Sequence, residues 1–224
     1  MTEGVQTKVA AIIPAYNEEK TIGSVVKTVV ESRLFDEVIV ISDGSTDQTA
    51  SVARAAGATT VHELPVKGGK GGAMLHGVTH TDAQILFFMD ADLYNLKKEH
   101  LEAVLRPVLE GKKAMNVCLR DRGPLLTNLS AHLPLIGGER ALLRHVIERV
   151  PQKFLRGFMI EAALNYHCRK EKLPYGSVPC AGLSMRKKME KVGFWRGLVE
   201  YIEMFYQVFK AMILVRFARW RGEF

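Results

Sequence analysis

Long unbroken apolar runs are missing from this chain of 224 residues. Nowhere do eighteen apolar residues stand together, so no ordinary membrane-spanning helix is expected. The first sustained apolar stretch starts at Val9 and is interrupted by Pro14 and Asn17, which is unlike the core of a secretion signal. Cysteine is scarce. Cys118, Cys168 and Cys180 are far apart and match neither a metal-ligand spacing nor a disulfide framework, which points to a reducing, cytoplasmic compartment. No Gly-x-Gly-x-x-Gly follows the first apolar segment, and no Walker A loop is present, so the dinucleotide fingerprint and the P-loop are both excluded. There is no run of basic residues long enough for a nucleic-acid tail. The net charge of +7 is therefore assigned to other anionic partners, namely phosphorylated small substrates or anionic lipid.

What is present supports one substantial α/β domain, with 47% hydrophobic residues and ordinary charge content. Residues 9–13 predict a strand, and Pro14 opens a loop that Asn17 closes by starting a helix over 21–32, where Ile22, Val25, Val26, Val29 and Val30 recur at helical spacing. Residues 35–41 predict a second strand. The polar turn Ser42-Asp43-Gly44-Ser45-Thr46-Asp47 follows, then a helix through Ala56 capped by Asp47 or Thr46, and a short third strand over 59–64. Repeated strand–helix units of this length imply a mostly parallel sheet with helices on its faces.

Residues 85–93 read Ile-Leu-Phe-Phe-Met-Asp-Ala-Asp-Leu. A short aromatic-rich run of this kind predicts a strand buried on both faces, with Asp90 and Asp92 falling beyond its end. Ligands of open α/β sheets bind there. Two hard carboxylates suit Mg²⁺ or Mn²⁺, ions usually completed by substrate phosphates; alternatively the pair caps the helix that begins near Leu96. Before it lies Lys67-Gly68-Gly69-Lys70-Gly71-Gly72, ahead of a helix predicted over 73–80. Its glycines permit close backbone approach, the helix start offers free amides, and Lys70 adds a point charge. A solvated basic loop is the plainer alternative.

A helix is expected over 96–109, bent or broken near Pro107, and a strand over 114–119. The segment 125–135 is apolar without a clean period. Gly137-Gly138-Glu139-Arg140 predicts a tight turn feeding a helix over 141–150, and Glu161 stands at the start of another helix over 162–168, as a cap or as a functional carboxylate. Residues 198–220 form the one long helix candidate. Glu200, Glu203, Gln207 and Lys210 make a polar stripe opposite Leu198, Ile202, Phe205, Phe209, Met212 and Ile213. It suits intramolecular packing, a homodimer seam, or peripheral attachment to an anionic membrane surface.

The segments Ile-Pro-Ala-Tyr-Asn-Glu, Ser-Asp-Gly-Ser-Thr-Asp, Lys-Gly-Gly-Ala and Asp-Ala-Asp occur in that order. In them the chain resembles the nucleotide-diphosphosugar glycosyltransferases of the GT-A fold, families 2 and 81, which include dolichyl-phosphate mannose synthases and glucosyl-3-phosphoglycerate synthases. The resemblance covers about residues 8–195. It implies a GT-A domain over 1–195, with a nucleotide-sugar half to about 119 and an acceptor half beyond it, followed by the helical segment 196–224. It implies that Pro14, Ala15, Tyr16 and Glu18 line the base pocket, that Asp43 contacts the base, and that Gly44 shapes that turn. Lys70 and Gly71 would lie near the ribose and diphosphate. Asp90-Ala91-Asp92 would be the motif for Mg²⁺ or Mn²⁺, with Asp92 the direct ligand. Gly138 and Glu139 would belong to the acceptor loop, and Glu161 would stand beside the sugar. Arg120, Arg122, Arg140 and Arg186 are candidates for an acceptor phosphate.

One departure concerns residues 181–186, Ala-Gly-Leu-Ser-Met-Arg, where family 81 enzymes often carry a histidine metal ligand. Met185 stands near that place, and a thioether is a poor ligand for Mg²⁺ or Mn²⁺. His167, the nearest upstream histidine, falls on a predicted helix and is read as structural. The expected reaction is transfer of a hexose, glucose or mannose, from a UDP- rather than GDP-sugar to a phosphorylated acceptor with retention. The rivals are an inverting polyprenyl-phosphate hexosyltransferase and a nucleotide-sugar-binding protein without transfer. A nucleotidylyltransferase would need a glycine-rich loop after the first strand, and residues 14–19 have none.

Overall fold

The computed structural model describes residues 7–120, 137–155, 157 and 159–185. Strand β1 (Val9–Ala15) is followed by α1 (Ile22–Ser32), β2 (Glu37–Asp43), α2 (Thr49–Ala55), β3 (Thr60–Leu64), α3 (Lys70–Thr79) and β4 (Ile85–Phe88). Then come β5 (Leu93–Tyr94), α4 (Lys98–Leu109), β6 (Met115–Arg120), β7 (Arg140–Leu143), α5 (Arg144–Glu148), a short 3₁₀ turn (Gln152–Phe154), α6 (Met159–Lys170), β8 (Tyr175–Cys180) and β9 (Ser184–Met185).

Seven strands form one sheet in the order β3-β2-β1-β4-β7-β6-β8, while β5 and β9 pair separately. Only β7 runs against its neighbours, β4 and β6. The sheet is central because its strands are apolar on both sides. In β1, Val9, Ala11 and Ile13 pack with Val25, Val26 and Val29 of α1 and Leu101, Val104 and Leu105 of α4. Ala10 and Ile12 face the opposite layer, with Met74 and Val78 of α3, Val146 and Ile147 of α5, and Ile160 and Leu164 of α6. The two-residue alternation of a strand thus feeds two helical layers.

The mostly parallel sheet expected from the sequence is present, with differences in detail. Pro14 does not end β1. Pairing with β4 stops at Ile12, and only β2 continues alongside, so the missing proline N–H falls where β1 has one neighbour rather than two. Pro107 sits inside α4, which runs on to Leu109. Residues 141–143, expected to open a helix, belong instead to β7 together with Arg140 of the expected turn, and the helix that follows is only Arg144–Glu148. The expected helix over 198–220 and the apolar segment 125–135 lie outside the described residues. Among the described residues, no helix is long and apolar enough to cross a membrane.

Candidate active site

The carboxyl ends of the parallel strands and the start of antiparallel β7 share one edge of the sheet, and the polar residues gather there. The loops after β1 and β2 are bound to each other. Asn17, at φ 53°, donates its backbone N–H to Ser45 Oγ at 3.2 Å, and its side-chain oxygen accepts the Thr46 N–H at 2.9 Å. The Glu18 N–H reaches Thr49 Oγ1 at 2.8 Å. Gly44 has φ 69°, and a Cβ there would stand 2.6 Å from the Lys67 nitrogen, so glycine is required both by conformation and by space.

Asp43, at the end of β2, accepts the Gly68 N–H at 2.7 Å on one oxygen and the Gly69 N–H at 2.8 Å on the other. Its carboxylate therefore fixes the glycine loop. Lys67 places its Nζ 3.7 Å from the centroid of the Tyr16 ring, and Tyr16 remains exposed. Pro14 and Ala15 complete the end of β1, and Glu18 is buried.

Lys70 is the first residue of α3, three residues earlier than the glycine-rich sequence predicts for the helix. That first turn packs closely: a Cβ on Gly71 would lie 2.9 Å from the Leu155 carbonyl carbon and 3.0 Å from the Gly157 nitrogen. Lys70 Nζ is 2.7 Å from Asp90 Oδ1 and 3.0 Å from Glu161 Oε1. Asp90 Oδ2 is 3.5 Å from Arg120, whose Nε is 3.4 Å from Glu139 Oε2. Arg140, fully buried, donates to the Gly137 carbonyl at 2.7 Å and stands 3.7 Å from Glu161 Oε2. Gly138 passes so close to the Asp90 carboxylate that a Cβ would collide with it. Three cations and three anions from α3, the end of β4, β6, the β7 loop and α6 thus form one cluster.

Burial alone would raise the Asp90 carboxyl, but Lys70 and Arg120 outweigh it and hold it at about 2. Burial would likewise lower Lys70, and Asp90 and Glu161 reverse that, keeping it charged. Glu139 goes the other way. Burial pushes it up to about 7 against the pull of Arg120, and no other described residue donates a hydrogen bond to its oxygens.

The structure brings Lys70, Asp90, Ala91, Asp92, Glu139, Arg140 and Glu161 to one place. Asp92 is buried at the turn into β5. Met185 pairs with the next residue, Leu93, and its sulfur accepts from Arg120 at 3.0 Å. His167 is a buried residue of α6. Arg122 and Arg186 lie outside the described residues. Sequence reasoning missed two features: the anchoring of the glycine loop by Asp43, and the Lys67–Tyr16 contact. The first had a signal in the isolated polar turn after β2, the second only in the two residue types.

A family model described as glycosyl transferase family 2 matches residues 10–190. Among curated proteins, the 4,4'-diaponeurosporenoate glycosyltransferase of Staphylococcus aureus strain MRSA252 is 41% identical over 109 residues, which is 46% of this chain and 29% of that protein. The match thus spans under a third of that relative's length. Among solved structures, glucosyl-3-phosphoglycerate synthase from Mycobacterium tuberculosis in complex with Mn²⁺, UDP-glucose and phosphoglyceric acid matches with a TM-score of 0.78 at 28% identity, over 94% of this chain and 80% of that one. The same enzyme with Mg²⁺ and UDP gives 0.70 at 28% identity, over 81% and 72%.

Proposed function

Since the chain belongs to glycosyl transferase family 2, we propose that it transfers a hexose from a nucleoside diphosphate sugar to a phosphorylated acceptor, with UDP-glucose as donor and retention at the anomeric carbon. One observation carries this reading. Lys70, on a helix start behind a glycine loop, stands between the strand-end Asp90 and Glu161. A diphosphate, a sugar and a carboxylate can be held together there. The likeness to an enzyme solved with UDP-glucose and phosphoglyceric acid supports the choice of donor and acceptor class.

In this reading the linked loops after β1 and β2, with Tyr16 exposed between them, receive the base. The amides at the start of α3 and the Lys70 ammonium meet the diphosphate. Asp43 acts from behind, by fixing Gly68 and Gly69. Glu161 faces the sugar, holding hydroxyls or stabilising the positive charge that develops at the anomeric carbon. Arg140 is a positioning residue: buried between Gly137 and Glu161, it orients the carboxylate rather than meeting an acceptor. Arg120, Gly138 and Glu139 form the wall of the acceptor side. A phosphate acceptor is already ionised and needs no strong base.

The donor set suits a divalent cation. Asp90 and Asp92 offer hard oxygens. Both oxygens of Asp90 lie against Lys70 or Arg120; the likeness of Asp90-Ala91-Asp92 to the family's metal motif makes Asp92 the proposed direct ligand. When bound, Mg²⁺ or Mn²⁺ would neutralise the leaving diphosphate. Met185 offers sulfur where oxygen or nitrogen would serve better, so fewer protein ligands and more water would complete the ion.

The test is to incubate the purified protein with a panel of nucleotide sugars, Mg²⁺ or Mn²⁺, and either 3-phosphoglycerate or a polyprenyl phosphate. A soluble charged product from UDP-glucose is expected, and proton NMR of its anomeric signal reads retention. A second reading rests on the amphipathic pattern of residues 198–220 with Arg216, Arg219 and Arg221: an inverting transfer to a lipid phosphate at a membrane surface. Product confined to the lipid extract would favour it. Donor binding without release of nucleoside diphosphate under any condition would leave a nucleotide-sugar-binding protein.

A further inference from the structure

A second cluster lies away from the charged centre, at the edge of the sheet. His62 is on β3, the outermost strand, in register with Ile41 of β2. His76 is in the last turn of α3 and His80 is its C-cap, four residues on and therefore above the same side of the helix. The three rings touch. Centroids are 5.0 Å apart for His62 and His76, 4.2 Å for His62 and His80, and 4.2 Å for His76 and His80. One ring nitrogen from each lies within 4.8 Å of the other two.

We propose that His62, His76 and His80 form a binding site for a nitrogen-preferring transition-metal dication of the Zn²⁺ class, separate from the Asp90–Asp92 end of the sheet. Imidazole nitrogens suit Zn²⁺, Ni²⁺ or Cu²⁺, whereas Mg²⁺ and Mn²⁺ take oxygen. Four-coordinate zinc, with Zn–N near 2.0–2.1 Å, sets its ligands about 3.4 Å apart, so each ring tip need move by roughly 1 Å or less. Three protein ligands leave one position for water or a further donor.

Two independent features favour a metal over simple ring stacking. The first is that His76 Nε2 is buried and has no hydrogen-bond partner among the described residues, a lone pair or N–H that stacking leaves unexplained. The second is that His80 Nδ1 lies 2.7 Å from the His76 carbonyl oxygen. A proton donated there places the lone pair on Nε2, the arrangement by which a backbone carbonyl orients a metal-bound histidine.

Such an ion would tie the edge strand β3 to the far end of α3, the helix whose first residue is Lys70. The test uses the full chain, stripped of any affinity tag and of metal, titrated with Co²⁺ and then with Zn²⁺. The expected result is one equivalent of Co²⁺ with tetrahedral visible absorption, displaced by one equivalent of Zn²⁺. Zn²⁺ should also raise Tm by about 2–4 °C. His62→Ala and His76→Ala should each weaken binding by roughly tenfold or more, and Asp92→Asn should leave the absorption unchanged. His80→Gln, at an exposed position, serves the same purpose if either alanine variant fails to fold. Absence of the absorption at one equivalent, or an unchanged titration in the histidine variants, would overturn the proposal.

Discussion

Removing the charge of Lys70 takes the nearest cation from two buried anions, because its Nζ serves Asp90 at 2.7 Å and Glu161 at 3.0 Å, and leaves them Arg120 at 3.5 Å and Arg140 at 3.7 Å. Breaking a buried pair from one side costs about 3–5 kcal/mol. Lys70→Met should therefore lower the urea midpoint by an amount equivalent to about 3 kcal/mol, as followed by circular dichroism; an unchanged midpoint would mean the pairs contribute nothing net. Glu161→Gln keeps the shape and removes the charge. Roughly a hundredfold loss of turnover is expected, with nucleotide binding by calorimetry retained. Turnover equal to the parent would reduce Glu161 to a helix-start anion. Lys70, Asp90 and Glu161 were legible in the sequence because each sits at a break between an apolar segment and a polar one. Arg140 was not legible in the same way. The sequence offers it as a turn residue and a candidate for an acceptor phosphate, whereas the pairing of β7 between β4 and β6 buries it.

Among the elements, α3 decides most. Its first turn lies against the segment after the 3₁₀ turn, with no room for a side chain at position 71. Gly71→Ala must push the turn or the Leu155 carbonyl aside, at a cost of about 1–3 kcal/mol, and would shift Lys70 away from Asp90. A lower Tm together with a raised KM for the nucleotide sugar is the expected pair of effects. Loss of Tm alone would confine the fault to packing. The strands and helices up to Leu64 were readable to within two or three residues, since their apolar spacing is regular and polar turns bound them. The start of α3 was not, because glycine carries low helical propensity and the gain comes from close packing. Nor was β7: Leu142, Leu143, Val146 and Ile147 fit a helical period, and four residues are too few for periodicity to tell strand from helix.

At the scale of the whole molecule, the charged cluster joins the part of the sheet built before Arg120 to the part built after Gly137, so its titration bears on global stability. Asp90 is held at about 2 against an ordinary 3.8. It contributes stability that is present above about pH 4 and is lost as the pH falls toward 2. Glu139 has the opposite sign, raised to about 7 from 4.5. Below its unfolded value both states are protonated; between the two values the native state binds more protons than the unfolded chain. Stability therefore declines as pH rises through that window, by up to about 3 kcal/mol. His62, His76 and His167, lowered by burial, act in the opposite direction in parent and variant alike, so the comparison isolates Glu139. In a chelator, the urea midpoint of Glu139→Gln, which cannot ionise, should gain on that of the parent as pH rises from 5 to 7.5, while the loss near pH 3 persists. A difference between variant and parent that stays constant over pH 5–7.5 would place the titrating group elsewhere.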